Sequence, residues 1–211
     1  MNTKKLILDA AIEIFATKAY HVATLGEICE QAGANCAAAN YHFGSKDALL
    51  SEAIRHAFHI AEATYPIDGG LPASAPPEDR LRAFMAAIIS RSFDPGPAGY
   101  FEKILGRVMA SESSRKDETF GEVGRIHHQV LDPILAEMID FKDEAELAQA
   151  ETAIIALCVF QNTVPGCRER LFPDGLDTPG LDRYIDSRTR LALAGLGTYN
   201  LKKSSCIVSP A

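Results

Sequence analysis

The chain has 211 residues, of which 47% are hydrophobic and 23% are charged. This composition provides an apolar core for one large domain or two small ones, and it excludes a disordered or fibrous chain. The formal net charge of −7 does not suggest a nucleic-acid partner, because DNA-binding proteins are usually basic. Any nucleic-acid contact must therefore depend on a few well-placed side chains.

Two amphipathic helices are predicted at the start of the chain. The first covers 3–18, where apolar residues recur at helical spacing along one face. The second covers 25–32. Thr24 precedes it, Glu27 stands where a capping box requires an acidic residue, and Gly33 ends it because glycine reaches positive φ at little cost.

Two further helices follow at short intervals. Asn35 is a suitable N-cap for a third helix over 36–42, and Ser45 for a fourth that carries apolar residues to position 58. The second helix, its glycine turn and the third helix have the spacing of a helix-turn-helix over 25–43. That spacing alone is common among helical proteins, so the residues themselves must decide the function.

The rest of the chain is also predicted to be helical. Prolines and glycines concentrate between 64 and 78, which predicts a loop and a domain boundary. Pro133 lies inside one helical block and is expected to kink it. Because little of the sequence alternates with a period of two, the predicted fold class is all-α. The predicted domains are 1–63 and 64–200 with a disordered tail over 201–211, and the later helices are 79–93, 98–113, 117–140, 144–163 and 179–197.

The helix-turn-helix residues are similar to the signature of the TetR family over about residues 5–55. The matching segments are Thr24-Leu25-Gly26-Glu27-Ile28, Gln31-Ala32-Gly33-Ala34-Asn35 and the aromatic-His-Phe-x-x-Lys series from Asn40 to Leu50. A looser resemblance, through Pro133 and the segments 158–160 and 168–171, is to the subgroup with a CerR-type C-terminal domain. The family implies an N-terminal three-helix DNA-binding domain followed by a larger helical domain for effector binding and dimerisation.

The resemblance also implies which residues contact DNA. These are Thr24, Asn35, Cys36, Ala37, Ala38, Asn40, Tyr41, His42 and Lys46. Thr24, Tyr41, His42 and Lys46 would contact phosphates, although Tyr41 and His42 could instead pack against the first helix and Lys46 could be a solvated surface lysine. Among the base-facing positions Asn40 could pair with adenine or simply face water, and the alanines offer apolar contact with thymine methyl groups. Many family members have an aromatic residue where this chain has Asn40.

By the same resemblance, we expect a repressor that binds a palindromic double-stranded DNA operator as a homodimer. The dimer would form through the helices near 144–163 and 179–197, which are rich in apolar and small residues, although plain intrachain core would explain them too. A small-molecule effector of unknown identity is expected among the middle helices. The candidate pocket residues are Phe84, Ile88, Tyr100, Phe101, Ile104, Leu105, Val108, His127 and Gln161, each of which could equally be ordinary core.

Motifs of other functional classes are missing from the sequence. The sequence lacks G-x-S-x-G, H-E-x-x-H, G-x-x-x-x-G-K-[ST] and G-x-G-x-x-G, which disfavours a helical enzyme, and we expect no cofactor. No metal site is predicted, because the adjacent His127 and His128 point about 100° apart on a helix. A protein-interaction module without DNA binding remains the alternative, since the chain is acidic.

Cysteine usage and hydropathy bear on the compartment. The five cysteines are an odd number without a C-x-x-C pair, which disfavours a disulfide framework or a zinc finger and favours the cytoplasm. Cys36 would be exposed beside DNA, where a thiol switch is conceivable, although no neighbouring cation in the sequence would lower its pKa. No apolar run approaches the roughly 18 residues of a membrane span, and the first residues do not resemble a signal peptide.

Overall fold

The computed structural model describes residues 2–110, 116–163 and 166–199. Within these ranges the chain forms ten α-helices and no β-strand, which confirms the predicted all-α class. The predicted tail 201–211 lies outside the described residues. The helices are α1 (Thr3–Thr17), α2 (Leu25–Gln31), α3 (Cys36–Phe43), α4 (Lys46–Thr64), α5 (Pro77–Phe93), α6 (Tyr100–Ala110), α7 (Lys116–Met138), α8 (Glu144–Thr163), α9 (Cys167–Leu171) and α10 (Thr178–Leu196), with a 3₁₀ turn at Pro97–Gly99 before α6.

Polar caps and glycines set the limits of the short N-terminal helices. Thr24, Asn35 and Ser45 each accept a hydrogen bond from a backbone N–H in the first turn of α2, α3 and α4. Gly33 and Gly44 have φ of +59° and +74°, a region that other residues rarely adopt, and they reverse the chain after α2 and α3. The local sequence therefore determines where these helices begin and end.

The first apolar core joins α1 to α4 with α6. Its N-terminal members are fully apolar and include Ile7, Phe15 and Ile28, each at most 2% exposed. Phe101 and Ile104 of α6 are 1% exposed in the same core. Burial of one such side chain is worth roughly 1.5–3 kcal/mol. Helix α6, which follows α5 in the chain, thus packs directly against α1 and α4.

The second core is formed by α5, α7, α8 and α10. Its buried residues include Leu81, Met85 and Leu131, none of which is exposed. Pro133 lies inside α7, which is helical on both sides of it. No helix in the described ranges is long and apolar enough to cross a membrane.

Two segments between helices contain more structure than the sequence pattern indicates. In the loop over 64–78, Ile67 is 6% exposed, and Gly69 lies so close to α5 that an added Cβ would be 2.7 Å from the Ala83 Cβ. The segment predicted to separate the last two long helices contains α9, whose Arg168 donates to the Ser92 carbonyl oxygen at 3.1 Å. A helix of five residues is too short to show an apolar period.

Candidate nucleic-acid interface

The turn between α2 and α3 holds the two helices as one unit. The Ala34 N–H donates to the Cys29 carbonyl oxygen at 2.9 Å across the turn. On α3, Ala39 is 1% and Phe43 8% exposed, and both pack into the first core. Because these residues anchor one side of α3, its opposite side faces solvent.

The solvent-facing side of α3 contains most of the residues that the sequence assigned to DNA contact. Ala38 is half-buried, whereas the others on this helix or its cap are exposed: Asn35, Cys36, Ala37, Asn40, Tyr41 and His42. Tyr41 is 84% exposed and lies edge-on to the His42 ring at 5.2 Å, so it does not pack against α1. We call these seven residues the α3 face.

Lys46 stands beside the α3 face, at the first position of α4. Its ammonium group lies 4.2 Å from the centre of the Tyr20 ring, a cation–π contact, and Tyr20 donates a hydrogen bond to Asp47. Desolvation lowers the pKa of Lys46, while the charge of Asp47 acts in the opposite direction. The ring thus restricts a cation next to the end of α3.

The other N-terminal lysines pair with carboxylates. Lys4 pairs with Glu52 at 2.7 Å and Lys5 with Asp9 at 2.6 Å. A further pair joins Lys18 to the carboxylate of Glu27. Such exposed pairs are worth about 0–1 kcal/mol, so a phosphate can compete for these lysines.

The two capping residues retain donors toward solvent. Thr24 is exposed, and its hydroxyl oxygen accepts from the Glu27 N–H at 3.2 Å, which leaves the hydroxyl hydrogen for another acceptor. Asn35 accepts from the Ala37 N–H through its carbonyl oxygen at 2.8 Å, so its NH₂ group can still donate.

Two thiols are neighbours in the helix-turn-helix. Cys36 is exposed at the start of α3, and Cys29 is buried on α2. Burial, followed by a hydrogen bond with Cys36, raises the pKa of Cys29 to about 11. Sequence reasoning considered Cys36 alone and missed its partner on the preceding helix.

The structure divides the predicted pocket residues between the two cores. Phe101, Ile104 and Val108 are buried with α1 and α4, and Tyr100 and Leu105 pack against them. A second group consists of Phe84, Ile88 and His127: the two apolar side chains are buried in the second core, and the His127 ring meets the Phe84 ring edge-on at 5.8 Å. Gln161 belongs to neither group.

Gln161 lines a cavity of 260 Å³ between α8, α9 and α10. Its side-chain oxygen accepts from the Tyr184 hydroxyl at 3.0 Å. The cavity is mostly apolar and opens on the outer side of α8, where Phe160 is 57% exposed. Its lining residues are Ala153, Ala156, Leu157, Phe160, Gln161, Leu171, Tyr184 and Arg188.

A buried polar centre joins α4, α5, α6 and α7. Arg91 is fully buried, pairs with Glu62 and donates from Nε to the Tyr65 carbonyl oxygen at 3.1 Å. Burial raises the pKa of Glu102 to about 7, although the Arg91 charge acts against this shift. Burial lowers the pKa of His127 to about 4, and the Arg91 charge acts in the same direction. Sequence reasoning missed Arg91, although its spacing from the apolar residues of α5 indicates the buried face.

The N-terminal residues match a known family, and the whole fold matches solved structures. Residues 7–53 match the model for bacterial regulatory proteins of the tetR family. A TetR-like transcriptional regulator from Rhodococcus sp. RHA1 is 17% identical, with a TM-score of 0.65 over 92% of this chain and 96% of that one. MexZ of Pseudomonas aeruginosa, described as a key repressor responsible for antibiotic resistance, is 19% identical, with a TM-score of 0.65 over 96% of both chains.

A third structure extends the likeness along nearly the full length. PfmR, a TetR family transcriptional regulator from Thermus thermophilus, is 21% identical, with a TM-score of 0.64 over 97% of this chain and 100% of that one. No curated protein sequence matches the chain. Residues 7–53 are therefore a DNA-binding domain of the tetR family, and the chain is a DNA-binding transcriptional regulator with the all-α fold of TetR-type proteins.

Proposed function

We propose that the chain is a ligand-responsive repressor that acts in the cytoplasm as a homodimer on a palindromic operator. The observation that carries the proposal is the α3 face, which presents the 84% exposed Tyr41 on a helix anchored by Ala39 and Phe43. A large aromatic side chain held away from the core of a tetR-family domain has the exposure that a DNA contact requires. In addition, Pro133 within α7 and the segment that forms α9 favour a CerR-type C-terminal domain.

Four residues supply the proposed phosphate contacts. The Thr24 hydroxyl and the Tyr41 hydroxyl donate hydrogen bonds, His42 adds a ring N–H, and Lys46 contributes a positive charge. Because Lys46 is restricted by the Tyr20 ring, it loses little side-chain entropy on binding. The N-terminal helices carry few lysines and arginines, so each of them accounts for a large share of the electrostatic affinity for DNA.

The base-reading surface is poor in donors. Asn40 is exposed, and its amide can donate to and accept from an adenine edge in the major groove. Asn35 offers its NH₂ group, Cys36 a thiol, and Ala37 and Ala38 apolar contact. Specificity with so few donors depends on Asn40, on DNA shape and on a second copy of the α3 face.

The outer side of α8 and α10 favours the proposed dimer. Phe160 on α8 and Leu191 on α10 are 57% and 52% exposed, and Ala153 and Ala156 are small enough for close helix approach. To reach successive major grooves of a palindromic operator, the two α3 faces of such a dimer must lie about 34–36 Å apart. The dimer would also enclose the 260 Å³ cavity.

Effector control requires a path from the second core to α3. The structure contains two suitable links: Arg91 of α5 contacts Glu62 and the Tyr65 carbonyl oxygen at the end of α4, and the Arg107 Nε of α6 donates to the Ala16 carbonyl oxygen at 3.0 Å. A small molecule that displaces α5 or α6 would therefore move α1 and α4, and with them the spacing of the two α3 faces. The effector must bind the two dimer shapes with different affinities.

Fluorescence anisotropy with DNA from upstream of the chain's own coding sequence tests the proposal. Lys46→Ala should weaken binding about tenfold and reduce the salt slope by about 2 for a dimer, because each subunit loses one phosphate contact. The matched control is Lys142→Ala, since Lys142 is 75% exposed and pairs with Glu146 far along the chain. If the protein does not bind at low salt, or if both variants lose affinity equally, the proposed contact is wrong.

A further inference from the structure

One imidazole and two carboxylates meet between α7 and α8. His128 and Asp132 are one helical turn apart on α7, and Glu151 faces them from α8. The His128 Nδ1 is 2.8 Å from Glu151 Oε2 and 3.7 Å from Asp132 Oδ1. One ligand atom from each side chain lies within 4.8 Å of the others.

Both carboxylates lie against the same imidazole, that of His128. The Glu151 side chain is only 4% exposed, so its charge is poorly solvated. The Asp132 Oδ1 is also buried and forms no hydrogen bond within the described part of the chain. Two carboxylates whose oxygens lie within 4.8 Å of each other, with a buried oxygen on each residue, favour a cation between them.

We propose that His128, Asp132 and Glu151 bind a divalent first-row transition-metal ion. Ligands at about 2.0–2.2 Å from an ion, in tetrahedral or octahedral arrangement, lie roughly 3.0–3.5 Å from one another. The separations of 2.8 and 3.7 Å bracket that range, so small side-chain movements would complete the site.

The ligand set determines the class of ion. Imidazole nitrogen is a ligand for zinc, copper, iron and nickel, whereas magnesium and calcium favour all-oxygen sites. Three protein ligands leave at least one position for water or for an additional ligand. The 53% exposed His128 side chain gives the ion a route from solvent.

Metal binding would fasten α7 to α8. Among the described contacts, the His128–Glu151 bond is a direct polar link between these helices, and an ion would replace it with three coordinate bonds. Because α8 also carries the exposed Phe160, the ion would stabilise the helix whose outer side is the proposed dimer surface. The metal site itself does not depend on DNA binding.

The site can be tested with Co²⁺ alone, by titration of the metal-free full-length chain. We expect one Co²⁺ per chain, visible absorption bands that report nitrogen and oxygen ligands, and a higher thermal unfolding temperature. Zn²⁺ should displace the Co²⁺. Glu151→Gln and His128→Gln should each weaken binding at least tenfold and abolish the thermal shift.

Matched controls separate this site from adventitious surface binding. His59→Gln changes an exposed histidine on α4, and Glu137→Gln changes an acid on α7 that pairs with Arg80. Both should bind Co²⁺ like the unaltered chain. Asp132→Asn provides a third ligand variant if Glu151→Gln does not fold, which circular dichroism would show. The proposal is overturned if Co²⁺ does not bind at 1 mM, or if binding is equal in the ligand variants and the controls.

Discussion

The N-terminal helices and the later helices differ in what they bury. In α1–α4 the buried residues are apolar, and every polar side chain is at least partly exposed. Every buried polar or charged residue of the described chain follows position 90, and these residues are Arg91, Ser92, Glu102, His127, Glu151, Gln161 and Thr189. Polar and charged residues are therefore buried only among the later helices of the described chain, and the N-terminal helices bury apolar side chains alone.

The largest expected effect is the loss of the buried arginine. Arg91→Ala should lower the free energy of unfolding by about 3–5 kcal/mol, because the Glu62 carboxylate and the Tyr65 carbonyl oxygen lose their partner. The matched control is Arg82→Ala, because Arg82 pairs with Asp186 at the surface. This substitution should lower the free energy of unfolding by at most about 1 kcal/mol. Urea unfolding of both variants measures the contrast. Equal losses would mean that the buried centre contributes nothing beyond a surface pair.

A smaller effect is expected from the buried carboxyl group of Glu102. Its pKa of about 7 lies above the ordinary value of 4.5, so the folded state binds an extra proton between these values. Stability from this group is therefore full below pH 4.5 and is lost as the pH rises through 7. Among the described residues, two ionisable groups interact with this carboxyl group. They are Arg91 of α5, which pairs with Glu62 of α4, and Cys158 of α8.

Glu102→Gln should remove this pH dependence. As the pH rises from about 5 to about 8, the free energy of unfolding of the unaltered chain should fall by about 2–3 kcal/mol more than that of Glu102→Gln. Denaturant unfolding at each pH measures this difference. Glu78→Gln, an exposed change in the first turn of α5, is the control and should follow the unaltered chain. Parallel curves for Glu102→Gln and the unaltered chain would contradict the raised pKa.

The N-terminal region could be predicted from the sequence because its signals are local. Thr24, Asn35 and Ser45 cap the three helices they were expected to cap, and Gly33 ends α2 as predicted. Each signal acts within a few residues, where propensity and capping dominate. The exposure of Tyr41 was not predictable, because its spacing allowed packing against α1.

The polar interior of the later helices could not be predicted from the same signals. The charge of Arg91 acts on Glu102 only after α5 and α6 pack together. Likewise, Glu151 forms a hydrogen bond with His128, 23 positions away in the sequence, only after α7 and α8 pack. The i,i+4 spacing of His128 and Asp132 is visible in the sequence, but nothing there indicates that Glu151 faces them. Long-range packing, rather than helix propensity, decides such contacts.

The smallest expected effect on stability concerns the most exposed aromatic residue. Tyr41→Ala should change the free energy of unfolding by no more than about 0.5 kcal/mol, because a side chain that is 84% exposed loses little packing. The same variant should weaken DNA binding roughly 5- to 150-fold, since each subunit of the proposed dimer loses a hydrogen bond worth about 0.5–1.5 kcal/mol. Tyr41→Phe separates the hydroxyl from the ring, and we expect it to lose most of this affinity. A fall in stability above about 1 kcal/mol would show that Tyr41 packs against the domain, and unchanged affinity would remove it from the proposed DNA contacts.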